Sequence, residues 1–187
     1  MNDLPGTLVQ IRRALKPDGL FIGAMLGGDT LHELRGAFAE AETVQDGGVS
    51  PRVAPFADIR DLGSLLQRAG LALPVADLDR VVVTYPTPLH LLQDLRGMGE
   101  TNCLVERRRT PLRRSTLNAM CAQYSARWAG ADGRIPATFD VIYLTGWAPH
   151  ASQQQPLPPG SAKARLADAL GAEERSANDK APRPRNR

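Results

Sequence analysis

The stretch Gly27-Gly28-Asp29-Thr30-Leu31-His32-Glu33-Leu34-Arg35 puts carboxylates, a hydroxyl, an imidazole and a guanidinium within nine residues. It follows an apolar run and opens an amphipathic one, the place where open α/β sheets hold ligands beyond a strand's carboxyl end. Two readings stand. Thr30-x-x-Glu33 fits a capping box, in which hydroxyl and carboxylate satisfy two orphan backbone donors. Alternatively Gly27, Gly28 and Thr30 face a substrate, with Asp29 or His32 as the catalytic group. Arg35 would then clamp a carboxylate, and the helix start would favour an anion.

Three further places carry chemistry-bearing residues. Gly97-Met-Gly-Glu-Thr-Asn102 mixes glycines with polar side chains, the mark of a specially shaped loop, and nominates Gly99 and Glu100 as substrate-facing. Tyr85, just before Pro86 at a strand end, suits core and pocket equally. Glu106-Arg-Arg-Arg-Thr-Pro-Leu-Arg-Arg114 holds five arginines, which would serve a nucleic acid or an acidic protein. Its expected state is a solvated loop whose arginines pair with nearby carboxylates. Nucleic acid is disfavoured because aromatics are scarce and residues 1–150 carry 16 basic and 16 acidic side chains.

The histidines His32, His90 and His150 lack paired spacing, as do Cys103 and Cys121, so no metal site is expected. Both thiols are expected to be buried and inert in a reducing cytoplasm. No apolar run reaches the roughly 18–20 residues that cross a bilayer. The Lys16-Pro-Asp-Gly19 turn ahead of Leu20–Leu26 argues against a signal peptide.

The elements that must position these groups follow from periodicity. Leu4, Leu8, Ile11 and Leu15 repeat at helical spacing, with Asp3 at the cap and Pro5 in the first turn. Leu20–Leu26 is continuously apolar, which reads as a strand covered on both faces. A second helix carries Leu31, Leu34, Phe38 and Ala41. Asp58 caps a third, with Ile59, Leu62, Leu66 and Ala69 on one stripe and Gly70 at its end. A strand spans residues 71–85, bent or edged at Pro74. Helices over 88–96 and 115–128 precede a last strand, Ala137–Trp147. This order is α/β. Residues 151–187, proline-rich and free of aromatics, hold seven basic and four acidic residues and are expected to be a disordered basic tail.

Asn2-Asp3-Leu4-Pro5, Leu15-Lys-Pro-Asp-Gly19, Phe21-Ile-Gly-Ala-Met25 and Gly27-Gly-Asp-Thr-Leu31 resemble the second half of a class I S-adenosylmethionine-dependent methyltransferase. Ser50-Pro51, Asp61-Leu-Gly63, Arg68-Ala-Gly70, Leu95-Arg-Gly-Met-Gly-Glu-Thr-Asn102 and Pro136-Ala-Thr138 narrow this. With them, residues 2 to about 150 are similar to malonyl-carrier-protein methyltransferases of biotin synthesis. They are similar too to a methyltransferase-like group of respiratory complex I assembly factors.

The resemblance implies strands five, six and seven of a Rossmann-like sheet, with the N-terminal cofactor half absent. Leu20–Leu26 would keep Ala137–Trp147 as neighbour and lose its other one, leaving a strand edge open to self-association or to a missing half. It implies S-adenosylmethionine as cofactor, with Asn2 and Asp3 beside it. The family's glycine-rich loop would precede Met1, and the one G-x-G of the body, Gly97-Met98-Gly99, follows a helix. The fragment is therefore expected to bind the cofactor poorly and to be inactive alone. The acceptor would be a carrier-protein thioester or a protein side chain. The alternatives are protein-arginine hydroxylation, as implied by the assembly-factor group, and a non-catalytic partner-binding fragment.

Overall fold

Helix α1 (Leu4–Ala14) begins where the Asp3 carboxylate accepts the Gly6 N–H at 2.8 Å and Pro5 occupies the first turn. The computed structural model describes residues 3–155, 161, 164 and 166–172; Asn2 and most of the expected tail lie outside the described residues. Contacts divide the chain at Ala151. Beyond it, α6 (Leu166–Leu170) is a short helix.

The body is built on β1 (Leu20–Gly27), β2 (Ala72–Tyr85) and β3 (Ile135–Trp147). They form one sheet in the order β1-β3-β2, both pairings antiparallel. β1 thus pairs with the last strand, as the resemblance implies, in a register from Leu20 opposite Trp147 to Gly27 opposite Asp140. Its other edge is open. The expectation that β1 is covered on both faces is corrected. Exposed and half-buried residues alternate along it, with Leu20 46% and Ile22 67% exposed. An apolar run reports what a strand could bury, not whether an element arrives to cover it. β2 is the opposite edge, and its register shifts between Ala72 and Val75, where Leu73 takes φ 48° next to Pro74.

Two apolar clusters lie on the sheet. Leu62 and Leu66 of α3 (Ile59–Arg68), capped by Asp58, pack with Leu8, Ile142 and Leu144. The second cluster joins α2 (His32–Asp46), α4 (Pro88–Gly97) and α5 (Arg114–Trp128) through Leu34, Phe38, Leu91, Met120 and Tyr124. Burying each such side chain contributes about 1.5–3 kcal/mol. The expectation for the thiols is corrected for Cys103, which is exposed; Cys121 is half-buried, and burial pushes its thiol up.

Candidate functional site

The turn from β1 into α2 is held by Asp140, the one charged residue in β3. Asp140 is buried, and its Oδ2 accepts the Asp29 N–H at 2.9 Å. Arg80 of β2 closes on it with Nε to Oδ1 at 2.7 Å and Nη2 to Oδ2 at 2.8 Å, while Nη2 also reaches the Asp29 carboxylate at 2.8 Å. The Arg80 hydrogen bond is the main reason the Asp140 carboxyl lies below the usual carboxylate range, and the two carboxylates raise Arg80 in turn. Gly28 is required here: it has φ +55°, and a Cβ would stand 2.5 Å from Asp140 Oδ2.

The expected Thr30–Glu33 capping box does not form. The N-cap of α2 is Leu31, in the left-handed region at φ 54° and with no side-chain cap. Thr30 is fully buried; its hydroxyl donates to Gly27 O at 2.6 Å and accepts the Asp140 N–H at 2.9 Å. Glu33 is also buried, accepting the Thr138 N–H at 3.2 Å and the Thr138 hydroxyl at 2.5 Å. Both motif residues tie α2 to β3, a long-range pull that a four-residue pattern cannot register. The strain at Leu31 is held by its N–H to Thr138 O at 2.8 Å and by burial of its side chain.

These bonds decide what the turn can hold. The N–H groups of Gly28, Asp29, Thr30, Leu31 and His32 go to Ala57 O, Asp140, Gly27 O, Thr138 O and Asp29 O. No anion cradle remains on those five amides. On this turn the amides of residues 28–32 therefore offer S-adenosylmethionine no free donor. The Asp3 carboxylate is engaged in its cap, and Gly97-Met98-Gly99 ends α4, with Gly99 at φ 81°.

The remaining nominated residues separate. His32 is exposed, its Nδ1 3.2 Å from Asp29 O and 3.4 Å from Glu33 Oε2. Arg35 donates from Nη2 to Thr30 O at 3.3 Å and lines a cavity of about 340 Å³ with Phe38, Ser50 and Arg52. Tyr85 is buried in the core, its hydroxyl pushed up by burial and by Asp94. Glu100 lines a different cavity.

That cavity, about 360 Å³, has an apolar floor that includes Leu26, Leu34, Phe38, Leu95 and Leu112. Its polar rim is Arg52, Arg96, Arg107 and Arg108 with Glu100, Thr101 and Asn102. Residues 100–102 of the stretch singled out from sequence thus border it, whereas Gly99 is not among its lining residues. Arg52 is committed to buried Glu42, at 2.6 Å, and lies over the Phe38 ring. Burial works to raise Glu42, but Ser50 and Arg52 outweigh it and keep the carboxyl low. Arg108 is committed to Asp46 at 2.9 Å. Arg107 donates only to Leu104 O, and the Arg96 side chain has no hydrogen bond or ion pair among the described residues. Sequence reasoning missed Arg52, Arg80, Arg96 and Asp140. A lone carboxylate inside an apolar strand was the available signal for Asp140. Among the described residues no three of His, Cys, Asp or Glu gather within ligating reach, and no helix is long and apolar enough to cross a membrane.

Comparisons with curated proteins find this chain similar to two groups. The chain is a homologue of both the arginine-hydroxylase NDUFAF5 and malonyl-[acyl-carrier protein] O-methyltransferase. It is 47% identical over 168 residues to the mitochondrial NDUFAF5 of Danio rerio, covering 90% of this chain and 52% of that protein. With the Homo sapiens protein the identity is 48% over 162 residues, covering 87% and 47%. With the methyltransferase of Halorhodospira halophila it is 36% over 154 residues, covering 82% and 50%. The chain spans about half the length of these relatives. No protein-family model matches it.

Proposed function

We propose that this chain is the acceptor-binding, C-terminal half of an S-adenosylmethionine-dependent methyltransferase acting on an anionic acyl group carried as a thioester. The charge of the 360 Å³ cavity carries this reading: four arginines face one carboxylate around an apolar floor. An acyl chain would lie on that floor while Arg96 and Arg107, the two rim arginines without an acidic partner, meet its carboxylate. Methyl transfer is an in-line displacement, so the protein's part is chiefly to position the acceptor and exclude water. The cofactor would be held by the other half of the molecule, joined along the open edge of β1. A cavity of about 440 Å³ lined by Leu8, Phe21 and Met25 supports that junction. Alone, the chain would be inactive and prone to self-association there. Two free cysteines accord with a reducing compartment such as the cytoplasm.

The second reading is protein-arginine hydroxylation, favoured by the higher identity to the NDUFAF5 relatives, 47% and 48% against 36% and 38%. A guanidinium acceptor would meet like charge at the cavity rim, which is why we place it second. The test is a chimera with the other half of the Halorhodospira halophila protein in front of this chain. Mass spectrometry is expected to find a methyl group added to a malonyl thioester. Oxygen added to a protein arginine, with no methylated thioester, would replace the first reading with the second.

A further inference from the structure

The arginine run does not behave uniformly. Arg108 and Arg113 both bind the Asp46 carboxylate, at 2.9 and 3.2 Å, and Thr116 Oγ1 lies 3.4 Å from it. This buried acid at the end of α2 pins the segment from both sides. The other arginines of the run are left facing solvent. Arg109 and Arg114 have no side-chain hydrogen bond or ion pair among the described residues, and Arg107 reaches only a backbone carbonyl. Arg96, equally exposed and unpaired, adds a fourth charge from α4.

Two features show that this arrangement is not merely solvated surface. Arg114 opens α5, whose first turn holds no acid and whose N-cap Arg113 supplies no capping side chain. A cation at that end opposes the helix dipole, and no acid among the described residues pairs with it. The patch is also local: charges over residues 1–150 balance, so the body around it is not generally basic. It stands beside the mouth of the cavity, which Arg96, Arg107 and Arg108 line.

We propose that Arg109, together with Arg114 at the uncapped start of α5, forms the docking surface for an acidic protein, which under the reading above is the carrier protein that bears the acceptor. The partner's carboxylates would face Arg109, Arg114 and the uncapped start of α5, while its acyl arm enters the cavity toward Arg96 and Arg107. Such a field mainly raises the association rate and selects the partner's sign of charge. Nucleic acid is the poorer occupant, because residues 96–114 contain no aromatic side chain for base stacking.

The test is fluorescence anisotropy of the full 187-residue chain with labelled acyl-carrier protein, and with a random-sequence DNA duplex as competitor. Arg109→Glu with Arg114→Glu is expected to weaken carrier-protein binding at least ~10-fold, while the Arg109→Lys, Arg114→Lys pair retains it within ~3-fold. Neither residue lines the cavity, so methyl transfer to a small malonyl thioester by the chimera should be unchanged in the same variants. No carrier-protein binding, or binding within twofold of the parent after charge reversal, overturns the docking surface even if the small thioester is methylated. Duplex binding tighter than carrier-protein binding also overturns it. Charge-sensitive docking without any methyl transfer would leave the surface standing and remove the methyltransferase reading instead.

Discussion

The Gly27–Leu31 turn and the Gly97–Arg114 segment both concentrate glycine and charge, yet they commit their polar groups in opposite ways. In the turn, five successive N–H groups, the Thr30 hydroxyl and the Asp140 carboxylate are all bonded inside the protein. In the segment, two arginines are fixed on Asp46 and the others point outward without acidic partners. Satisfied polar groups make a joint; unsatisfied ones at a cavity mouth make a binding surface. Chemistry-rich composition does not distinguish the two, but the destination of each hydrogen bond does.

Asp140→Ala should strike the joint hardest. It strands the Asp29 N–H and leaves Arg80 only the exposed Asp29 carboxylate, and about 3 kcal/mol of stability is expected to disappear. That is the low end for a broken buried pair, because Arg80 is half exposed. Urea denaturation measures it, and a loss under ~1 kcal/mol would mean the turn is held by something else. Gly28→Ala comes next, at about 2 kcal/mol, from left-handed strain and the approach to Asp140 Oδ2. Thr30→Val keeps the volume and deletes two bonds, for an expected ~1–2 kcal/mol; a stabilised variant would show that burial, not bonding, keeps Thr30 there.

The acid limb of stability sharpens the same contrast. Asp140 and Glu42 both have folded pKa values below their ordinary ones. Their contribution is complete above about pH 4, the unfolded carboxylate range, and is lost as pH falls through the depressed values. Arg80→Ala should flatten the Asp140 part of this decline in thermal melts between about pH 5 and 2, whereas Arg109→Ala should leave the curve superimposable on the parent's.

The smallest expected effect is at Asp29. Its side chain is 68% exposed and paired only with Arg80 near water, so Asp29→Ala should cost under ~0.5 kcal/mol. In the chimera its kcat/KM should stay within ~2-fold of the parent, while Arg96→Ala lowers it by ~10-fold or more. The opposite ranking would move the acceptor site from the cavity back to the turn.

Much of the scaffold was legible because it depends on local periodicity. The Leu62–Leu66 stripe, the Asp3 and Asp58 caps and the Pro74 irregularity are all read from neighbours within a few residues. The β1–β3 pairing joins residues more than a hundred positions apart, and only the family resemblance pointed to it. The candidate site was less legible. Thr30 and Glu33 fit a local motif and were drawn instead to Asp140 and Thr138, partners no window around them contains. Glu100 was found through its glycine neighbours. Arg96 sits unremarkably in a helix end, and its meaning comes only from the absence of an acid beside it.

The position of β3 has a consequence for how this protein comes into being. It is the middle strand of the sheet and, among the described residues, the last in sequence, so β1 and β2 meet this shared neighbour only after residue 147 has been synthesised. On the ribosome the apolar Leu20–Leu26 and Val81–Val83 stretches wait for β3 to be made. Sheet closure then occurs through contacts of long sequence separation, which are slow to form. Nascent chains stalled short of β3 are expected to be the natural clients of chaperones, and the finished chain much less so.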